Sequence, residues 1–360
     1  MSALEAAFRH QADSCEALGS PFMGRLLRIL AEDWPTDSAL ARFIASFGGN
    51  IGPAGHSLPL RICGGLHALV LTRRDADLIA AYPPADVADR DLRAAVLAAI
   101  TAHGDFLIDW CKSPPQTNEV RRSAAMIAGA RVAVSHFPLP LHLSELGASG
   151  GLNLMWDHYT LDIGKARFGP PVPALTLTPE WTGAPPPDAA PQIAARAGVD
   201  LNPLSPGDGE DMLRLTAFLW PDQPERLSMT RAAGSVMTAP LVKGDAIEWL
   251  SARLAAAPQG RLHLIQHSVA WQYFPAAAQS HGRALIEAAG PRPPRTVPSP
   301  GCRWRATATP PGARGRRWCC GCGRAISRSI WGARISTDAG STGAIPADAA
   351  AGFCAAARRD

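Results

Sequence analysis

Glu145, Asp200, Asp245 and His267 each lie at the end of a short apolar run, with small or polar residues within the next two positions. The first run is the richest. In Leu141–Tyr159, LHLSELGASGGLNLMWDHY, Glu145 is followed by Gly147, Ser149 and Gly151, then by a helix-compatible Leu152–Trp156. Strand, glycine turn and helix in that order aim backbone N–H groups at a ligand. The pattern is E-x-G-x-S-x-G rather than G-x-G-x-x-G, so a ligand cradle and an ordinary tight turn both satisfy it. Val199-Asp200 and Gly244-Asp245 repeat the arrangement of an acid at a strand end, and Leu262–Ile265 runs into Gln266-His267-Ser268, with Gln272-Tyr273 beyond. Open α/β sheets bind ligands outside the carboxyl ends of their strands, so four such ends in succession point to one site. His267 also reads as a hydrogen-bonded core histidine.

A second polar concentration, Ser113–Arg122 (SPPQTNEVRR), interrupts an otherwise apolar stretch. Two prolines fix its entry, Thr117 or Asn118 can cap the following helix, and Glu119 suits that helix's first turn. Gln116, Asn118, Glu119 and Arg121 also place four hydrogen-bonding groups in one turn, which fits a pocket wall equally well.

These groups must be carried by two kinds of region. Residues 1–137 read as helical: Ser2 with Glu5 forms a capping box, Pro21 opens a second helix, Thr36 caps a third closed by Gly48-Gly49, and apolar segments follow at Leu58–Leu71, Asp89–Trp110 and Asn118–His136. From residue 138 to 290 short apolar runs alternate with helical patterns, broken by a Pro/Gly-rich insertion over about 160–192. The expected fold class is α/β: a Rossmann-like, mostly parallel sheet with helices on both faces, preceded by an all-helical N-terminal domain.

At 360 residues, with 47% hydrophobic and 18% charged, the chain can bury a sizeable core. Its net charge of +4 conceals an asymmetry. Residues 291–360 carry 12 Arg, no Lys, 3 Asp and no Glu, leaving 23 basic and 28 acidic residues in 1–290, a net of −5. That mildly acidic body argues against a nucleic-acid surface. MSALEAAFRH lacks the apolar stretch of a signal peptide and no run approaches a membrane span, so a cytoplasmic protein is expected.

The last seventy residues have no leucine, eight prolines, five cysteines and three tryptophans, with no sustained period. Cys319-Cys320-Gly321-Cys322 and Cys302 lack the paired spacing of a zinc ribbon, so no metal is expected. Leucine-free, Arg/Pro/Cys/Trp-rich text is what a GC-rich gene yields when read in the wrong register. Residues 291–360 are therefore expected to be frameshifted and the final strands of the sheet lost.

The motifs ELGASGGLNLMWDHY, SPPQTNEVRR, GVDLNP, WPDQPER, GDAIEWL and QHSVAWQY, in this order, resemble the bacterial domain of unknown function 2332. That resemblance implies a helical N-terminal part and a Rossmann-like part, and no established activity. More distantly, the motif order is similar to class I S-adenosylmethionine-dependent methyltransferases. There the first acid and glycine loop hold the methionine end of the cofactor, a second strand-end acid holds the ribose, and a third lies near the adenine. Carried over, these are Glu145, Gly147, Ser149 and Gly151, then Asp200, then Asp245. Gly147 to Asp200 is 53 positions, far above the ~20 usual between such a loop and its ribose carboxylate, and His-Ser-Val at the fourth strand end departs from any standard methyltransferase motif. The resulting expectation is an enzyme acting on a small molecule, with His267 as general base, Tyr273 orienting substrate, and Asn118, Glu119, Arg121 and Gln272 lining the pocket. The competing readings are a non-catalytic Rossmann-like binding module, a defunct gene product, or another nucleotide-dependent enzyme such as an oxidoreductase.

Overall fold

Ser2 accepts a hydrogen bond from the Glu5 N–H at 3.1 Å and starts helix α1 (Ala3–Ala17), as its capping pattern predicts. The computed structural model containing it describes residues 2–289 apart from Ala54, with the backbone pairing of Ile335–Ser336 and Gly352–Ala357. Pro21 opens α2 (Pro21–Glu32), where its missing N–H is no loss. The cap of α3 (Ala39–Ala45) is Ser38 and not Thr36: Ser38 is extended, and its hydroxyl accepts from the Ala41 N–H at 3.0 Å. Helices α4 (Leu58–Leu71), α5 (Ala76–Ala81), α6 (Asp89–Ala102), α7 (Gly104–Cys111) and α8 (Ser123–His136) complete the first part. Leu26, Leu30, Leu58, Ile62, Leu66 and Leu69 are fully buried in its core. Cys15, Cys63 and Cys111 are free buried thiols, and burial pushes Cys15 up to about 11.

This helical core borrows from later in the chain. Helix α9 (Gly209–Ala217) brings Ala217 and Phe218 into it. A side-chain carbon on Gly64 would lie 2.5 Å from the Phe218 ring, so only glycine leaves room for it. The WPDQPER stretch then fastens the join. The Asp222 carboxylate accepts from Ser20 Oγ at 2.6 Å and from the Phe22 N–H at 3.0 Å, and Gln223 Nε2 donates to the Gly19 carbonyl at 3.0 Å. Asp222→Ala is expected to cost about 2–3 kcal/mol, because two charge-assisted bonds are lost at a helix start. Asp222→Asn, which keeps an acceptor, should lose less; equal urea midpoints for the two variants would rule this account out.

Strand β1 (Leu141–Leu146) begins the second part. After it come a 3-10 turn (Leu152–His158) and a small three-stranded sheet of β2 (Tyr159–Asp162), β3 (Arg167–Phe168) and β4 (Leu175–Leu177). The Pro/Gly-rich insertion is thus a folded unit, and β5 (Glu180–Trp181) leads out of it. Then follow β6 (Ile193–Asp200), α9, α10 (Pro224–Ser235), β7 (Leu241–Lys243), α11 (Ala246–Ala255), β8 (Leu262–His267) and α12 (Ala276–Ala289). Four strands pair in parallel in the order β7-β6-β1-β8. One face (Leu141, Leu143, Leu262, Leu264) packs with Ile127 and Ala130 of α8. The other (Leu146, Ile265) packs with Leu250 and Leu254 of α11 and Ile286 of α12. The expected α/β class, with helices on both faces, is what the chain adopts.

The chain pairs twice more beyond residue 289: β9 (Ile335–Ser336) runs antiparallel to β5, and β10 (Gly352–Ala357) antiparallel to β8. The remainder of the tail, with the frameshift and the zinc spacing read into it, lies outside the described residues. Among the described residues no single helix is long and apolar enough to cross a membrane.

Candidate functional site

From β1 the chain moves to β6 and then β7 on one side, and α11 returns it to β8 on the other side of β1. Strand order therefore reverses between β1 and β8, the position where open α/β sheets form a crevice at their carboxyl ends. Glu145 and Gln266 stand opposite each other there in the parallel register.

Glu145 is fully buried. Its Oε2 accepts from Gln266 Nε2 at 3.3 Å, and the same amide donates to the Asn153 carbonyl at 3.0 Å. Gln266 Oε1 accepts from Trp156 Nε1 at 3.1 Å, and Asn153 Oδ1 accepts from Ser123 Oγ at 2.7 Å. Three buried atoms around this network have no partner: Glu145 Oε1, Asn153 Nδ2 and Ser149 Oγ. Burial pushes the Glu145 carboxyl up to about 8; Gln266 and Arg122 oppose that rise and nearby Asp200 adds to it. At pH 7 the group is mostly a neutral acid.

The glycine loop is knitted into the end of β6. Gly147 and Ala148 donate their N–H groups to the Val199 carbonyl at 2.9 and 3.0 Å, and Ser149 donates to Asp200 Oδ2 at 2.8 Å. Gly151 donates to Ala148 and Leu152 to Asn118 Oδ1, at 2.7 and 2.9 Å. These five donors are spent inside the protein. Gly147 and Gly151 are left-handed (φ +68° and +70°), and so is Ser149 at +52°. A side-chain carbon on Gly147 would collide with Ala270, and one on Gly151 with Met237. Gly147→Ala is expected to cost about 2–4 kcal/mol from left-handed strain and overpacking together. Gly164→Ala, left-handed at +76° but with open space around it, should show the strain alone and melt higher.

Asp200 is half-buried and uses one oxygen for the Ser149 N–H and the other for the Asn202 N–H at 2.9 Å. Each oxygen keeps a lone pair. Asp245 is the N-cap of α11, its Oδ1 accepting from the Ile247 and Glu248 N–H groups at 2.8 and 3.0 Å. Successive side chains of a strand point to opposite faces, so His267 leaves the sheet on the side away from Gln266 and Glu145. It stacks on Trp271 at 5.4 Å between centroids, and burial lowers it to about 4. A base of that strength is a poor proton acceptor near neutrality. Gln272 and Tyr273 lie exposed on the 3-10 turn Ala270–Tyr273, Tyr273 at 67%.

The helical part reaches the same edge through Ser113–Arg122. Gln116 and Asn202 exchange two hydrogen bonds of 2.7 and 2.9 Å. Neither Thr117 nor Asn118 caps α8, which starts at Ser123 behind a 3-10 turn (Val120–Arg122); Asn118 holds the glycine loop instead. Glu119 Oε1 accepts from Arg121 N and Nε at 3.1 and 3.2 Å, and its Oε2 meets Arg226 at 2.5 Å. Burial raises the Glu119 carboxyl, but Arg226 and Arg121 outweigh it and hold it below its usual range.

The structure thus brings Glu145, the glycine loop, Asp200 and Asn118 together, and sets His267 on the other face. Sequence reasoning did not single out Gln266, Asn153 or Trp156. Gln266 precedes the noticed histidine, and only the strand register reveals that it faces Glu145. Among the described residues no group of three or more His, Cys, Asp or Glu is placed to hold a metal ion. No curated protein and no solved structure matches the chain. A bacterial family described as uncharacterized protein conserved in bacteria, DUF2332, matches residues 5–303, which span the helical part, the parallel sheet and the motifs that join them, and the chain belongs to that family.

Proposed function

We propose that the chain is a cytoplasmic, S-adenosylmethionine-dependent methyltransferase-like enzyme acting on a small molecule. Its ligand enters the crevice between the carboxyl ends of β1 and β8. One observation carries the reading: three buried polar atoms without partners, on Glu145, Ser149 and Asn153, gather where the strand order reverses. Polar atoms left unpaired in a protein interior are costly, and a cluster of them at a sheet's switch point suits a bound ligand. The spare lone pairs of Asp200 suit a pair of ribose hydroxyls, and exposed Leu201 beside it suits the face of a base. When bound, the cofactor supplies an electrophilic methyl group on a sulfonium. The protein's own contribution is alignment and exclusion of water. His267 is too weakly basic to abstract a proton strongly, so the acceptor brings a lone pair of its own.

A second reading, a non-catalytic Rossmann-like module, is favoured by the five loop N–H groups already spent within the protein. Calorimetric titration of S-adenosylmethionine into the purified chain, shown to be folded by circular dichroism, separates the two. Saturable heat supports the cofactor site, which methyl transfer to an acceptor then tests, and none at millimolar concentration removes the enzyme reading. The frameshift is held as part of this proposal, supported by a family match that ends at residue 303. The coding DNA tests it directly.

A further inference from the structure

We infer that the crevice receives a carboxylate of its ligand, and that side chains do most of the holding: the Glu145 carboxylic acid, the Asn153 amide and the Ser149 hydroxyl. This inference rests on the ligand-binding reading above. The loop's own donors are the first ground. Five of the six N–H groups from Gly147 to Leu152 have acceptors inside the protein, all but that of Gly150, so the loop has at most one of them to offer an anion. The second ground is what is left over. Asn153 Nδ2 is a donor by its chemistry, and its Oδ1 is fixed as an acceptor by Ser123. Glu145 Oε2 is the acceptor for Gln266, so the acid proton belongs on Oε1, the oxygen without a partner. Ser149 Oγ is free to donate. All three groups are at least nine-tenths buried, and three unpartnered donors buried in neighbouring stretches of the chain call for an acceptor-rich group.

The charges around Glu145 agree. No ion pair reaches it among the described residues. Asp200 disfavours a second negative charge there, Arg122 acts in the other direction from a distance, and the Tyr159 hydroxyl is committed to the Leu152 carbonyl at 2.6 Å. A neutral Glu145 admits a carboxylate, whereas an ionised one repels it. Binding should therefore weaken as pH rises through about 8, by on the order of tenfold between pH 7 and 9.

Two titrations test this with the full chain. At pH 7, S-adenosylmethionine is compared with its decarboxylated analogue. From pH 7 to 9, S-adenosylhomocysteine is titrated into wild type and Glu145→Gln, which keeps a donor facing the ligand but cannot ionise. The expected results are at least tenfold weaker binding of the decarboxylated compound, and an alkaline loss of affinity in wild type that the glutamine variant lacks. Asn153→Asp should weaken S-adenosylmethionine tenfold or more and leave the decarboxylated compound unchanged. Binding that ignores the carboxylate, or identical pH profiles for wild type and variant, overturns the inference and leaves the cofactor reading standing. No binding of any of these compounds at millimolar concentration overturns both.

Discussion

Arg226→Ala is expected to lower the unfolding free energy by about 3 kcal/mol, the low end for breaking a buried ion pair. Arg226 and Glu119 are both buried, and their contact is 2.5 Å. Removing the guanidinium leaves the carboxylate with Arg121 as its remaining partner and strips a cation from the Trp220 ring, 5.1 Å away. The bond from Arg226 to Gln223 Oε1, 3.0 Å, is lost as well. A double-mutant cycle with Glu119→Gln isolates the pair. Coupling above about 1 kcal/mol is expected for residues in one network. Strict additivity would mean that packing on Trp220, not the ion pair, holds α10 to the loop before α8.

Glu145→Gln should do the opposite and stabilise the protein at pH 7, by as much as about 3 kcal/mol. The sign follows from the pKa. Glu145 is raised from its ordinary 4.5 to about 8, so the unfolded chain releases a proton that the folded chain keeps. Stability from this group is greatest below pH 4.5 and declines as pH climbs to 8. Glutamine removes the decline, so the two proteins should converge near pH 4. Histidines act in the other direction. Burial lowers His67 to about 4 and His263 to about 3, both from 6.5. Below pH 6.5 the unfolded chain takes up protons that these rings refuse, at about 2 kcal/mol each by pH 5. Wild type should therefore be most stable near pH 6.5, and the variant should lose the fall on the alkaline side. Denaturant midpoints between pH 4 and 8.5 give both curves. A constant difference across that range would mean that Glu145 is charged throughout.

Local features of the fold were legible because they depend on neighbours in sequence. Ser2 with Glu5, Pro21 at a helix start, and the change from helical to strand rhythm at Leu141 all follow from spacing. Failures occur where a distant partner decides. Thr36 and Ser38 are hydroxyl residues two positions apart, and backbone geometry chose the second. Asn118 was expected to serve its own helix, yet its carboxamide holds Leu152, 34 residues away. The long gap from Gly147 to Asp200 weakened the methyltransferase resemblance and required an insertion over about 160–192. The small β2–β4 sheet takes up that length, and the loop still reaches Asp200 through Ser149 at 2.8 Å. His267 drew attention because histidine does chemistry. Strand alternation gives that attention to Gln266 instead, and a single sequence does not say which face is which.

The Phe218 ring in the notch at Gly64, with Asp222 on Ser20 and Phe22, has a consequence for synthesis on the ribosome. Residues 1–137 leave the tunnel without the pieces that complete their own core. The last of these, Asp222, is 85 residues further on, roughly 4–17 s of translation at about 5–20 residues per second. Until then α4 and the α1–α2 turn expose apolar surface to solvent, a window in which a nascent-chain chaperone has something to hold. The helical part finishes folding only when the sheet that follows it is half made.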